Sequence, residues 1–455
     1  MKLPNGPKTP GFVQRMQWVL NPLKFMETTA AVYGDCFTAR PTGKPSVVFS
    51  NPQAIQDIFT ARPDQFYVGR ANGIFRALLG DYSMMLLDDA PHQRQRKLLA
   101  PPLHGDHLRS YGQLIWNITE QVISTWEIGK PFPVRLSMTE ISLRVILQTV
   151  FGLQEGQRYE KLKLLIQSVL KLSSSPLKAL PLFFPLLQQD LGPWSPWGQF
   201  KLLKKKVDDL IYAEIQELRD TPDPSRSDIL SLMMSAQDND GKPMTDQEIR
   251  DELITLLMAG HEASTSAMTW ALYWIHLLPE VHKKLLQELD SIEGNASIDI
   301  LMKLPYLDAV CCETLRLYPI IMLPSTRMTK TPIRVMDYEF PAGTLLVPSI
   351  YLTHHRPDLY PQPKQFRPER FLERKYSQYE FLPFGGGSRR CIGMAFAMFE
   401  MKVVLARVLL HLDLAIVGNR RVKPIRRGVT LAPSDGEWLV ATSLHEKEVS
   451  IPISV

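Results

Sequence analysis

Residues 384–393 read FGGGSRRCIG: three consecutive glycines, two arginines, and then one of only four cysteines in 455 residues. An apolar run at helical spacing, IGMAFAMFEMKVVLARVLLHL, follows Cys391. The cysteine is therefore expected at a helix N-terminus, where free backbone N–H groups and the helix dipole favour negative charge. A cysteine that binds a metal does so as the thiolate. The glycines permit a tight loop whose backbone comes close to a flat ligand. Gly393 leaves out a side chain where a large group would lie against the first helical turn, and Arg389 is placed to meet an anionic part of that group. The remaining cysteines, Cys36, Cys311 and Cys312, offer neither zinc-ligand spacing nor a disulfide framework. A reducing, cytoplasmic setting is expected. One thiolate beside open space suits a haem iron rather than zinc, and N–H groups aimed at its sulfur would tune the redox potential.

Apolar residues make up 45% of the chain and charged residues 22%, with a formal net charge of +5. That balance is ordinary for a globular protein large enough to enclose a cofactor. It argues against nucleic acid as a partner and leaves room for a local basic patch. The opening MKLPNGPKTPGF carries prolines where a leader would be apolar, and no stretch of ~20 apolar residues occurs, so no transmembrane segment is expected. Long helical patterns run between two short strand-like regions, CFTARPTGKPSVVFSNP and IRVMDYEFPAGTLLVPSIYL. The fold class expected is α+β, mainly helical, as a single domain over residues 1–455.

Thr245 and Glu248 form a T-x-x-E capping box ahead of EIRDELITLLMAGHEASTSAMTWALYWIHLL, which Pro279 stops. The pattern predicts a helix of about 33 residues, roughly 50 Å long. At its centre stands AGHEAS, residues 259–264. Gly260 is either a packing glycine at a helix crossing or a bent turn that admits a small ligand. Glu262 on such a helix needs a partner or a purpose. Further on, Glu313 and Arg316 of ETLR share a helix face, and Arg370 of FRPERF supplies a second arginine; a buried set of this kind would be a structural lock.

FGGGSRRCIG resembles the haem-binding loop of the cytochrome P-450 family, F-x-x-G-x-R-x-C-x-G, at every defined position. ETLR, FRPERF and AGHEAS resemble that family's E-x-x-R, P-E-R-F and A-G-x-E-T-T motifs, in the family's order and across essentially the whole chain. The resemblance implies a single cytochrome P-450 fold with a long central helix over haem b and small β regions. It implies Cys391 as the axial thiolate, Phe384 beside it, Gly393 in the loop, and Ala259 and Gly260 against the cofactor. It gives His92, Arg96, Arg327 and Arg389 as propionate partners and Glu313, Arg316 and Arg370 as the structural triad. Glu262 is the acid of the proton relay.

The family's first threonine is here Ala263. Ser264 follows, about 100° around the helix axis, so it does not simply replace the missing hydroxyl. Ser264 or water, a substrate hydroxyl, or a peroxide-driven reaction would each resolve the departure. The implied reaction is monooxygenation of a lipophilic substrate, fatty-acid hydroxylation as in the bacterial and cyanobacterial members it is most similar to. Terpenoid or secondary-metabolite oxidation is the alternative, and a non-catalytic haem protein that binds a ligand is the reading from another class. Electrons would come from a ferredoxin or flavodoxin with a separate reductase, no fused reductase being expected. Arg94, Lys97, Arg390 and Lys402 could form its basic docking patch. Met84, Met85, Met258, Ile320, Ile321, Met322 and Leu323 are expected to line the substrate pocket, with the apolar segment 173–197 as a lid and a peripheral membrane contact. Lys44 reads as a solvated turn lysine, and a monomer is expected.

Overall fold

The computed structural model describes residues 3–41, 43–174, 188–189, 192–292, 297–418 and 421–445. They form two compact units, each assembled from two stretches of chain.

The first unit comprises Met1–Asn72 and Cys312–Cys391. Both strand-like regions expected from the sequence lie here. Strands β1 (Cys36–Ala39) and β2 (Ser46–Phe49) pair as an antiparallel hairpin. Beside them come β3 (Phe66–Tyr67), β5 (Arg327–Thr329) and β8 (Leu345–Pro348), giving the order β1-β2-β8-β5-β3. β2 runs parallel to β8, with Ser46 opposite Leu345. Strands β6 (Ile333–Val335) and β7 (Tyr338–Phe340) form a separate hairpin. Val47, Phe49, Ile55, Ile58, Phe340 and Leu346 close the core over one sheet face. Helices α1 (Gly11–Leu20) and α2 (Pro22–Tyr33) precede the sheet, with the Asn21 side chain capping α2.

The second unit comprises Gly73–Cys311 and Ile392–Val455. Its helices include α3 (Asp89–Leu99), α4 (Gly105–Ile123), α5 (Val134–Phe151), α6 (Gln157–Ser174) and α7 (Pro196–Asp220). The central helix α8 spans Asp246–Leu277, 32 residues. Its capping box is present: Thr245 Oγ1 accepts from the Glu248 amide at 3.2 Å, and Glu248 Oε2 accepts from the Thr245 amide at 2.8 Å. Helix α8 packs along α5 and against α10 (Met394–His411). Helix α9 (Pro305–Leu317) begins in this unit, and its ETLR motif, residues 313–316, belongs to the first. None of the described helices is long and apolar enough to cross a membrane.

The C-terminal strands were not legible from the sequence. Strands β9 (Leu412–Ile416) and β12 (Trp438–Leu444) join β4 (Pro131–Pro133) in one sheet, and β10 (Pro424–Arg427) pairs with β11 (Thr430–Pro433). β9 starts at the residue directly after α10, so no glycine or proline marks the change of period.

Candidate active site

In the first unit, the loop before Cys391 is closed by its own backbone. The Cys391 amide donates to Phe384 O at 2.9 Å and the Arg390 amide to Gly387 O at 3.1 Å. Gly385 and Gly387 have φ of +68° and +65°, where only glycine is unstrained. A Cβ on Gly386 would stand 2.3 Å from the Phe59 ring, and one on Gly387 2.5 Å from Phe59 O. The glycines therefore also serve close packing against the helix that carries Phe59. Cys391 is exposed and lies three residues before α10, whose N-cap is Gly393. Gly393 has φ of −87° and no protein atom within 4 Å of an added Cβ, so the chain's own packing does not ask for glycine there.

Arg327 is buried, donating to Ser325 O and, at 3.1 Å, to Gly386 O, with its guanidinium over the Phe59 ring. Among the described residues no carboxylate pairs with it. Burial, reinforced by nearby Arg389, pulls its pKa down to about 9. A cation held this way calls for an anionic partner. Within the first unit, the exposed thiol and a buried Arg327 with no carboxylate partner among the described residues fit a haem with its acidic side chains.

The carboxylate–arginine set is assembled as the sequence suggested. Glu313 accepts from Arg316 Nε at 2.6 Å and Nη2 at 2.9 Å, and from Arg370 Nε at 3.0 Å. All three side chains are buried. Arg316 also donates to the carbonyls of His354, Pro363 and Gln365, and Arg370 to those of Pro361 and Gln365. The set thus clamps the chain that leads into the cysteine loop. Sequence reasoning missed His354 here. Its buried imidazole accepts from the Leu382 amide at 2.9 Å, two residues ahead of Phe384, and burial holds it neutral. A lone histidine carries no sequence signal for that role.

In the second unit, Met258, Ala259, Gly260 and Ala263 keep some exposure on a helix that is buried continuously from Ser264 to Ile275. A Cβ on Gly260 would lie 3.3 Å from Ile146 of α5, and the helix runs unbroken. Gly260 thus lies close to α5 while keeping some exposure. Glu262 Oε1 accepts from Arg135 Nη2 at 2.6 Å, and Arg135 also donates to Ser266 at 3.2 Å. Arg135 was not foreseen, because it lies on a different helix 127 residues away.

Ser264 turns away from Ala263, into the interior against the buried Glu400 of α10. His92 is buried and Arg96 half-buried on α3, and Arg389 is half-buried in the loop.

The basic patch is corrected as well. Arg94 is committed to Asp238 at 2.6 Å and Glu248 at 2.8 Å, and Lys402 is buried, donating to Met302 O and pairing with Asp308. Lys97 is exposed and Arg390 half-buried. Of the expected pocket residues, Met84, Met85, Met258, Ile321 and Leu323 are partly exposed. Ile320 and Met322 are buried. Most of the expected lid, residues 175–187 and 190–191, lies outside the described residues. Lys44 is exposed, as expected for a turn lysine.

The Cytochrome P450 family model matches residues 4–440. A Mycobacterium tuberculosis protein (strain H37Rv), cytochrome P450 135B1, is 37% identical over 440 residues, covering 96% of this chain and 90% of its own. Cytochrome P450 138 of the same strain is 32% identical over 443 residues, covering 97% and 96%. Among solved structures, the cyanobacterial CYP120A1 with retinoic acid bound superposes with a TM-score of 0.83 at 25% identity, over 97% of this chain and 99% of that one. A match that runs through both compact units, with relatives alike over nearly their full lengths, places the chain in the cytochrome P450 family, and it is a cytochrome P450 monooxygenase.

Proposed function

We propose that this protein hydroxylates fatty acids or similar long lipophiles, using haem b held by the Cys391 thiolate in one haem domain over residues 1–455. Support for a lipophilic substrate comes from the apolar side chains Leu78, Ile166, Phe200, Val207, Ile254 and Met258, which together with Lys204, Asp208 and Arg250 line a small, water-sized cavity beside the central helix. Met84, Met85, Ile321 and Leu323 are the further substrate-facing side chains in this reading.

When bound, the haem–thiolate group supplies dioxygen activation: one oxygen atom enters a C–H bond and the other leaves as water, with two electrons and two protons taken up. The protein's part is binding and proton control. Arg327, Arg389, His92 and Arg96 take the propionates. Ala259 and Gly260 present a low surface to the cofactor. Arg135 holds one oxygen of Glu262 and leaves the other to exchange a proton with water.

Ala263 contributes no hydroxyl and the Ser264 side chain is buried, so in this reading the relay is incompletely supplied at this position. Ala263→Thr is then expected to raise hydroxylated product per nicotinamide consumed by about twofold, and to lower hydrogen peroxide release. Unchanged coupling would show that another group already fills the role.

Electrons come from a ferredoxin or flavodoxin with its own reductase, Lys97 and Arg390 being the remaining basic candidates for docking. The protein acts as a monomer in the cytoplasm and touches membrane peripherally. The described residues offer α1 for that contact, with Phe12, Met16, Val19 and Leu20 exposed by 54–75%. No Asp or Glu occurs before Glu27, whereas Lys2, Lys8, Arg15 and Lys24 do, so an anionic lipid surface is the occupant it suits. Co-sedimentation with phosphatidylglycerol vesicles, lost in Phe12→Ser/Leu20→Ser, is the expected result; sedimentation that survives the double change removes α1 from the contact.

Turnover of a panel of saturated fatty acids with a surrogate ferredoxin and reductase tests the main reading. Hydroxylated product is expected, and none from Cys391→Ser. Terpenoid acids belong in the same panel, because the solved relative holds retinoic acid. Product from these alone would replace the fatty-acid reading. Product formed only when peroxide substitutes for nicotinamide would replace the electron partners.

A further inference from the structure

Residues 79–85, the loop that carries Met84 and Met85, are tied to the first turns of the central helix by a buried row of polar groups. Tyr82 N donates to Asp251 Oδ2 at 2.9 Å, and Met84 N donates to Glu252 Oε1 at 2.7 Å. The Ser83 and Thr255 hydroxyls share a hydrogen bond of 2.7 Å, and Ser83 Oγ accepts from the Met85 amide at 3.3 Å. Arg250 Nη1 donates to Leu79 O at 3.4 Å and to Asp251 Oδ1 at 2.7 Å. Its other side is paired with Asp208 of α7, the Nε contact being 2.8 Å.

Ser83, Arg250, Asp251, Glu252 and Thr255 are all buried. Gly80, at φ +94°, passes so close that an added Cβ would stand 2.1 Å from Asp251 Oδ1. Two adjacent acids buried at the start of a helix are disfavoured unless they do something there. Here they accept backbone N–H groups that the loop cannot satisfy internally. Glu252 is held far above the ordinary carboxyl pKa by burial, so it serves as a neutral acceptor, and its Oε2 has no partner. Arg250 and Leu78, the neighbour of the Leu79 whose carbonyl Arg250 holds, both line the small cavity that Met258 also borders.

We propose that Asp251 and Glu252 are positioning residues for substrate selection: they fix the depth at which Met84 and Met85 are presented, and so decide which carbon of a lipid chain is oxidised. The proposal rests on the reading of those methionines as substrate-facing. It concerns residues that touch neither substrate nor cofactor and that act through the loop backbone.

Three variants test it in the full-length haem-loaded protein: Glu252→Gln, Glu252→Leu and Ser83→Ala. Glutamine keeps an oxygen for the Met84 amide and matches a neutral carboxyl in shape, so Glu252→Gln should behave as wild type. Glu252→Leu leaves the Met84 amide buried without an acceptor, a loss equivalent to about tenfold in an equilibrium constant. Amide hydrogen exchange over residues 82–85 should quicken by about that factor. The midpoint of the fatty-acid-induced spin-state change should move by several-fold. The distribution of hydroxylated positions should also shift, with the reduced carbon-monoxide spectrum unchanged as the sign of an intact haem site. Ser83→Ala should show the same pattern more weakly and keeps the test open if the leucine variant fails to fold. Faster exchange with an unchanged product distribution would overturn the selection role, and unchanged exchange would overturn the fastening itself. If wild type responds to no lipid, the substrate reading fails, and the exchange measurement alone then decides whether the two acids hold the loop.

Discussion

Replacing Glu313 by glutamine is expected to produce a chain that fails to hold haem at temperatures where the wild type is stable. Glu313 is fully buried and accepts from two guanidinium groups and from the Arg367 amide at 2.8 Å. Glutamine removes the negative charge but leaves Arg316 and Arg370 charged in the interior, and it presents an N–H₂ group to one of them. Breaking a buried ion pair from one side costs about 3–5 kcal/mol, a large share of the roughly 5–15 kcal/mol that holds a folded protein together. The damage should fall on the cysteine loop, because Arg316 and Arg370 bind the carbonyls of residues 361–365 and His354. Haem content after purification and thermal unfolding followed at the haem absorbance are the measurements. Glu373→Gln is the control: its pair with Arg367 is solvent-exposed and should contribute within about 1 kcal/mol. A melting temperature for Glu313→Gln within about 2 °C of wild type would refute the lock.

Glu400→Gln is expected to stabilise the protein at pH 8 and to change little near pH 5. Glu400 is wholly enclosed, the Ser264 hydroxyl lies near it but neither carboxyl oxygen has a partner at hydrogen-bond geometry, and burial raises its pKa to about 7. In the unfolded chain the same group titrates near the ordinary carboxyl value. Between those two values the folded protein binds the extra proton, so stability linked to this group is complete below the lower one. It is lost as pH rises toward 7. The loss amounts to about 3 kcal/mol at pH 8, where the unfolded carboxylate is hydrated and the folded one is not. Glutamine carries no proton to lose. The difference in melting temperature between variant and wild type should therefore widen steadily from pH 5 to pH 8. A difference that stays flat across that interval would show that Glu400 does not titrate there.

The parts of the site legible in the sequence were those with local grammar. The cysteine loop, the capping box at Thr245 and the E-x-x-R spacing each confine their chemistry to a few consecutive residues. What escaped depended on a neighbour supplied from far along the chain. Ser264 sits one position from Ala263, and only the placement of α10 decides that it meets Glu400. Lys402 reads as a surface cation until Asp308 and Met302 O take it inward. Asp251 and Glu252 read as ordinary acids near a helix N-terminus, favoured there by the dipole. That they are buried follows from the loop 79–85 needing acceptors for its amides, which no spacing rule discloses.

The division of the chain also bears on biosynthesis. The first compact unit needs Met1–Asn72 and Cys312–Cys391 together, and β2 cannot find β8 until about 300 further residues have been made. A ribosome delivers the whole of residues 73–311 while the N-terminal hairpin waits with one edge unpaired, which exposes it to wrong pairing and to chaperones. Cys391 is the last residue of that unit. The first unit is therefore completed only when residues 312–391 have followed the whole of residues 73–311, and a chain cut before residue 345 would lack the β8 partner of β2.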